Sequence, residues 1–589
     1  MFYIILSQGR FFLYNINMNT NQFKKYKIFT FINLGAAAIF SLMLLNFSLD
    51  ISLAAFPIGI IYTAVAVYFS IKMIFNTDGR LIYKVIKFTE YLPYVLFITF
   101  ILRRAGKNGT PFFYDAITVI LWFIIFVLSF LTSRKLYPKK NKQIVEGWKV
   151  APKERKFTGV AKIIFEAIDW IDALVWSIFT VLIFQIFVLQ LYEIPSESMV
   201  PTFLIKDRVF VSKIDCGPKF PLTDVGLPDF RKYKRGDTIV LRNPHYNMDR
   251  KSEVKTVTSQ LVYMFSLMTV NLNKDENGEM KADPLVKRIT GLPGEQLVMQ
   301  DGVLYVRTKD SDEFVPSKID EKYATWNLNA VHPKQKAKVK QFPLSASEYE
   351  KMLDFEEERR NYDLTSAAIR AKEIVNQLYK YETKNEVLGD FTKPDLWEYE
   401  LFKNVQQITA NILYKNGGTQ WFSEFMTSWI ENKDNAQDYY ARSNFTLNVM
   451  TKMTFGEIVL RYAQLLDSGA DFSQLNKDSQ ILQYFEKAET LNWYIQILLD
   501  ERNMPLFPAN DSQGNPQYIP ENCYFMMGDN RFNSLDLRHS YEQILKPLTS
   551  DDEMSVKYYS MMEPQYIHKK YIIGKPVFRF WPLDRLGKV

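Results

Sequence analysis

The sequence predicts a multi-pass α-helical membrane region followed by a mostly β extracytoplasmic domain that carries an α-helical insertion. Three observations lead there. Long uncharged apolar runs crowd the first third of the chain; short β-type runs follow and return near the end; a charged, helix-favouring stretch separates the two β parts. The 589 residues exceed one ordinary domain. A hydrophobic content of 47% with a mean hydropathy of only −0.15 fits an apolar part joined to a polar one.

A helix needs roughly 20 apolar residues to cross a bilayer. Ile28–Phe47, Ile51–Ile71 and Ala173–Leu191 are uncharged and long enough, and Ala116–Thr132 is uncharged but slightly shorter. Tyr91–Leu102 is short and follows Lys84, Lys87 and Glu90, so residues 1–192 are expected to hold four or five spans. The first strong run is long and others follow it, which reads as a retained segment rather than a cleaved leader.

Orientation comes from the loop at 133–166. There Arg134, Lys135, Lys139, Lys140, Lys142, Lys149, Lys153, Arg155, Lys156 and Lys162 outnumber the acidic residues, which places the loop in the cytoplasm. The chain beyond Tyr192 then lies outside. Five spans also put Lys24, Lys25 and Lys27 in the cytoplasm, but leave Arg103, Arg104 and Lys107 outside, against the charge rule. The net charge of +7 is explained by these membrane flanks, and nucleic acid is not an expected partner.

Residues 193–309 and 516–589 read as one β-rich domain. Its strands are Arg208–Ser212, Thr238–Leu241 after Gly236-Asp237, Cys523–Met527, Tyr571–Ile573 and Val577–Trp581. Gln296–Gln300 and Val303–Val306 flank Asp301-Gly302, the strongest short-range hairpin signal. Between them, residues 310–515 are expected to be a mostly helical insertion. Ser347-Glu348-Tyr349-Glu350 resembles a capping box, and Gly417-Gly418 breaks the run. Its expected role is packing or partner binding. A smaller insertion at 246–283 contains Leu261–Leu272, too short to span and suited to a buried helix or a membrane-surface contact.

Two cysteines, Cys216 and Cys523, exclude a disulfide framework and a four-cysteine zinc site; free thiols are favoured over a pair. The four histidines, His245, His332, His539 and His568, lie in no Gly-x-Ser-x-Gly or HExxH setting, which sets aside a histidine triad. A lysine serves as base instead if burial keeps it neutral. Lys287, within Leu285-Val286-Lys287-Arg288-Ile289, fits, although taken alone it reads more readily as an edge-strand lysine facing water. Ser198, a few residues beyond the last span, is the nucleophile candidate, although a lone serine there reads more readily as part of a polar linker leaving the helix.

Read together, four stretches resemble the boxes of bacterial type I signal peptidases (leader peptidases, a Ser/Lys dyad serine protease family). They are Ile194-Pro195-Ser196-Glu197-Ser198-Met199-Val200-Pro201-Thr202, Gly236-Asp237-Thr238-Ile239-Val240, Val286-Lys287-Arg288-Ile289-Thr290-Gly291-Leu292-Pro293-Gly294-Glu295, and Gly528-Asp529-Asn530-Arg531-Phe532-Asn533-Ser534-Leu535-Asp536-Leu537-Arg538. They occur in the family's order after an apolar span. The resemblance implies Ser198 as nucleophile and Lys287 as general base. It implies the Ser196 hydroxyl in the oxyanion hole with the Ser198 N–H, and Ser534 orienting the lysine amine. Asp529, Arg531, Asp536 and Arg538 would form a supporting charged cluster.

The implied activity is serine endopeptidase cleavage of signal peptides from exported preproteins, with small side chains preferred at the first and third positions before the cut. The implied place is the cytoplasmic (inner) membrane, catalytic domain outside. The implied partners are preprotein signal peptides, the lipid bilayer and the protein export machinery; no metal or cofactor is implied. Phe532 stands where the family usually has Asp, and the extra N-terminal spans and large helical insertion are departures in size. Two other readings are a catalytically inactive membrane scaffold with a signal-peptidase-like domain and a self-cleaving Ser/Lys regulator. The second would need a DNA-binding module, which the sequence does not display.

Overall fold

The structure, a computed structural model, describes residues 20–44, 55–75, 79–105, 110–136, 158–246, 249–266, 270, 272–274, 281–324, 333–339, 344–381, 388–431, 438–470 and 477–589. Most of the basic loop (137–157), Lys107, His332 and the ends of the first two apolar runs lie outside the described residues. The chain divides into two compact units.

The first unit comprises Met1–Gln190, Ser212–Arg231 and Tyr246–Ala282. Its apolar helices are α1 (Thr20–Leu44), α2 (Ala55–Phe75), α3 (Gly79–Ala105), α4 (Phe112–Leu136) and α5 (Val160–Phe187). Three carry segments long and apolar enough to cross a membrane, Lys84–Ala105, Phe112–Ser133 and Val160–Phe187; Ile28–Leu44 and Ile58–Lys72 are shorter apolar helices. The candidate Lys84–Ala105 contains the short stretch Tyr91–Leu102 together with the charged residues that precede it. Lys87 donates to Asp172 of α5 at 2.5 Å and lies 3.4 Å from Glu90, so the charges that seemed to end the run pair inside the bundle. Arg104, counted above as an outside charge, is likewise buried against Asp115. Phe220, 1% exposed, docks its ring edge-on to Phe97, Phe100 and Trp122 at 5.1–5.5 Å, tying segment 212–231 to the helices. Helix α6 (Arg250–Phe265) covers part of the Leu261–Leu272 stretch, and its Phe265 meets Phe179 of α5.

The second unit comprises Leu191–Val211, Lys232–His245 and Asp283–Val589. In chain order the strands are β1 (Leu189–Glu193), β2 (Arg208–Ser212), β3 (Thr238–Leu241), β4 (Leu285–Gly291), β5 (Glu295–Gln300), β6 (Val303–Thr308) and β7 (Val315–Pro316). They continue with β8 (Met504–Phe507), β9 (Cys523–Met527), β10 (His539–Pro547), β11 (Lys557–Met562), β12 (Ile567–His568), β13 (Ile572–Trp581) and β14 (Gly587–Lys588). The main sheet runs β1-β2-β13-β3-β4-β9-β12 with β14 on β13; a second runs β7-β6-β5-β8, and β10 pairs β11. Asp301 and Gly302, at φ 51° and 78°, make the β5–β6 turn, as Asp-Gly does where two successive residues need positive φ.

Between β7 and β8 the chain is mostly helical. Helix Tyr439–Asp467 is its axis, buried on nearly every face between Ser443 and Ala463, with Ile374, Trp421 and Phe425 in the surrounding core. The capping box is at Ser345, not Ser347: Ser345 has extended backbone and accepts from the Glu348 N–H, whereas Ser347 already lies inside helix Ala346–Arg360. Helix Val405–Tyr414 ends three residues before Gly417, which at φ 82° is the N-cap of the helix that Gly418 opens.

Lys452 and Asp552 pair at 2.5 Å with both side chains fully buried, joining the axial helix to the loop between β10 and β11. Removing one partner of such a pair leaves the other charge dry and uncompensated. Asp552→Ala is expected to cost about 3–5 kcal/mol, read as faster hydrogen exchange along helix Tyr439–Asp467.

Candidate active site

The proposed site residues all fall within the second unit. Strand β4 is interior, with β3 on one side and β9 on the other; Lys287 lies opposite Ile239, and Arg288 lies opposite both Thr238 and Met527. Lys287 is thus no edge-strand residue: it is 2% exposed. Burial lowers its ammonium pKa to about 8, with Asp536 opposing and Arg538 reinforcing the shift. Its Nζ donates to Ser534 Oγ at 3.1 Å.

Ser534 comes from the loop that leaves β9, and Gly528 opens that loop. A Cβ on Gly528 would lie 2.1 Å from Ser534 Oγ and 2.5 Å from the Ser198 carbonyl oxygen, so only glycine lets these two segments approach. Asn530 holds the serine segment from the same loop: its backbone N–H donates to the Ser198 carbonyl at 3.1 Å and its amide to the Glu197 carbonyl at 3.2 Å. Ser198 is half-buried, and its Oγ shares a 3.3 Å hydrogen bond with Ser196 Oγ, which is exposed. Among the described residues, Ser198 Oγ and Lys287 Nζ are each bonded to a different hydroxyl, not to one another.

The charged residues occupy the dry floor. Arg288 reaches Asp529 through Nε at 2.6 Å and Nη2 at 2.7 Å, and Thr202 Oγ1 donates to the same carboxylate at 2.5 Å. Burial alone would raise the Asp536 carboxyl, but the charge and hydrogen bond of Arg538 override it and hold it well below the usual range. Asp536 accepts the Gly528 N–H at 2.8 Å, and Arg538 Nη1 donates to the Glu501 carbonyl at 2.8 Å. The Thr202 carbonyl accepts from Arg579 at 2.9 Å and Arg585 at 3.1 Å.

Sequence reading assigned no role to Arg288, Gly528, Asn530 or Asp320. The first three sit inside the quoted boxes, so adjacency could have flagged them. Asp320 pairs with Arg531 across 211 positions and carries no local signal. Phe532 also finds its account here: it packs with Val200, Leu204 and Val339, lies 6.5 Å ring to ring from Tyr349, and faces the Arg502 guanidinium at 5.7 Å. An aromatic ring fits that half-apolar, cationic surround.

The family model for signal peptidase, peptidase S26, matches residues 167–356 and 475–581, half of the chain. The chain belongs to that family. Curated relatives agree piecewise. The chain is 37% identical over 73 residues to Signal peptidase I of Buchnera aphidicola subsp. Schizaphis graminum (strain Sg), covering 12% of this chain and 23% of the relative. It is 28% identical over 150 residues to Signal peptidase I P of Bacillus subtilis subsp. natto, covering 25% and 54%. Against Signal peptidase I of Pseudomonas aeruginosa the figures are 30% over 128 residues, covering 21% and 43%. The chain thus spans about half or less of the length of these S26 relatives. The family model leaves 357–474, the greater part of the helical region, unmatched.

Proposed function

We propose that this S26 chain is a membrane-bound serine endopeptidase that removes N-terminal signal peptides from exported preproteins, acting on the extracytoplasmic face of the cytoplasmic membrane. The observation that carries the reading is Lys287: a lysine on an interior strand, its pKa lowered to about 8 by burial, bonded to a serine on the loop that holds the Ser198 segment. A buried lysine loses its proton near physiological pH and so acts as a base.

The chemistry follows. Neutral Lys287 takes the Ser198 hydroxyl proton as Oγ attacks the scissile carbonyl, and the Ser196 hydroxyl with the Ser198 N–H stabilises the oxyanion. The Lys287 ammonium then protonates the leaving amine. Water, deprotonated by the same lysine, hydrolyses the ester and frees the serine. Ser534 keeps the amine aimed through both halves. Preproteins and the bilayer are the partners this reading requires, and contact with the export machinery is consistent with it.

The test is cleavage of a purified preprotein in liposomes, with products identified by mass spectrometry. A single cut at the signal junction by wild type, absent with Ser198→Ala, is the expected result. Equal cutting by the variant, or no cutting by wild type, would overturn the reading.

A further inference from the structure

We infer that Asp320 is a positioning residue: through Arg531 it sets the Gly528 loop on which Ser534 and the Ser198 segment depend. The inference rests on the reading of Ser198 and Lys287 given above. Asp320 belongs to the short helix Lys318–Ala324 that follows β7.

Asp320 and Arg531 are each 3% exposed and meet at 2.5 Å. A dry ion pair is a poor source of stability, since desolvation offsets most of the attraction. Its value lies in direction. With Nη2 held by Asp320, Arg531 turns its Nε to the Gly528 carbonyl at 2.9 Å. The Gly528 N–H is already committed to Asp536 at 2.8 Å, so both polar groups of this residue are pinned, one through Asp320 and one through Arg538 and Asp536. Gly528 lies against Ser534 Oγ and the Ser198 carbonyl, so a shift of its peptide moves the lysine-orienting hydroxyl and the nucleophile segment together.

A second contact of the same helix supports the assignment independently. Tyr323 stacks its ring on the Arg288 guanidinium at 3.6 Å, and Arg288 is the β4 residue next to Lys287. One helix of seven residues thus touches the strand that bears the lysine and the loop that orients it. Among the described residues Asp320 has no hydrogen bond to Ser198, Lys287 or Ser534, so its effect is indirect.

The experiment compares wild type, Asp320→Ala and Asp320→Asn in full-length protein, with Ser198→Ala as the silent control. Asparagine keeps an acceptor for Arg531 and alanine does not. Asp320→Ala is expected to lower kcat about 30-fold with KM within about twofold, because substrate contacts stay in place while the reacting groups lose alignment. Asp320→Asn should recover part of that loss. Amides of residues 528–534 should exchange at least about tenfold faster in Asp320→Ala, with helices Gly418–Thr427 and Tyr439–Asp467 unchanged. The inference falls if kcat of the alanine variant stays within about twofold of wild type, if the loop amides do not respond, or if exchange rises uniformly through the helices. If wild type cuts no preprotein, the peptidase reading fails on its own, and the exchange measurement still decides the role of Asp320.

Discussion

Methionine at position 287 is expected to lower kcat by at least about 10⁴-fold while raising thermal stability near neutral pH. The first half follows from the proposed mechanism: methionine has the length and apolar stem of lysine but no basic nitrogen to take the Ser198 proton. Loss of a base from a nucleophile–base pair in serine peptidases costs about this much or more. The second half follows from linkage. The pKa of Lys287 falls from 10.5 unfolded to about 8 folded, so between those values the unfolded chain binds more protons and stability rises with pH. Below about 8 the lysine is charged in both states and burial exacts its full cost, on the order of 3 kcal/mol. Lys287→Met removes that cost, less about 1 kcal/mol for the lost hydrogen bond to Ser534. The gain should be greatest below pH 8 and fade toward 10.5. In wild type, kcat/KM should climb with pH and level off above about 8 as the amine becomes neutral. Retention of a tenth of the rate by the methionine variant would remove Lys287 from the mechanism.

The second large effect is expected from a single methyl group. Gly528→Ala would set a Cβ 2.1 Å from Ser534 Oγ and 2.5 Å from the Ser198 carbonyl oxygen, distances no packed carbon tolerates. The side chain of Ser534 can rotate away, but then it leaves Lys287. The Ser198 carbonyl can retreat only by giving up the Asn530 N–H. Either response misaligns the pair by several tenths of an ångström or more, and a kcat loss of about 10²–10³-fold is expected, with about 1–3 kcal/mol of destabilisation. Steady-state kinetics beside a melting curve would check it: a variant as active as wild type would mean that the loop is free to shift.

How far these features were legible in the sequence depended on the distance over which they are determined. Lys287 was legible only through the four boxes read together, since the strand around it does not by itself tell an interior position from an edge, whereas the β5–β6 turn was legible because Asp-Gly is a local conformational signal. The capping box was misplaced by two residues because Ser345 and Ser347 are chemically alike and only backbone dihedrals tell them apart. The full length of helix α3 was not legible because Lys87 reads as a terminator until its partner Asp172, 85 positions away, is seen. The same holds for Asp320: no pattern within a window of the chain announces a partner at 531. Phe532 was visible as a departure but not explicable, since the residues around it, Leu204, Tyr349 and Arg502, come from three separate regions.

The placement of β13 bears on how the molecule comes into being. This strand, Ile572–Trp581, lies between β2 and β3 in the main sheet, and its Arg579, with Arg585 just beyond it, grips the Thr202 carbonyl beside the serine segment. A ribosome releases Ser198 and Lys287 hundreds of residues before it releases this strand. Until then β2 and β3 have no neighbour to join them, and the serine segment lacks two of its anchors. The strand that joins β2 to β3 and the two anchors of the serine segment are thus supplied long after the residues they support.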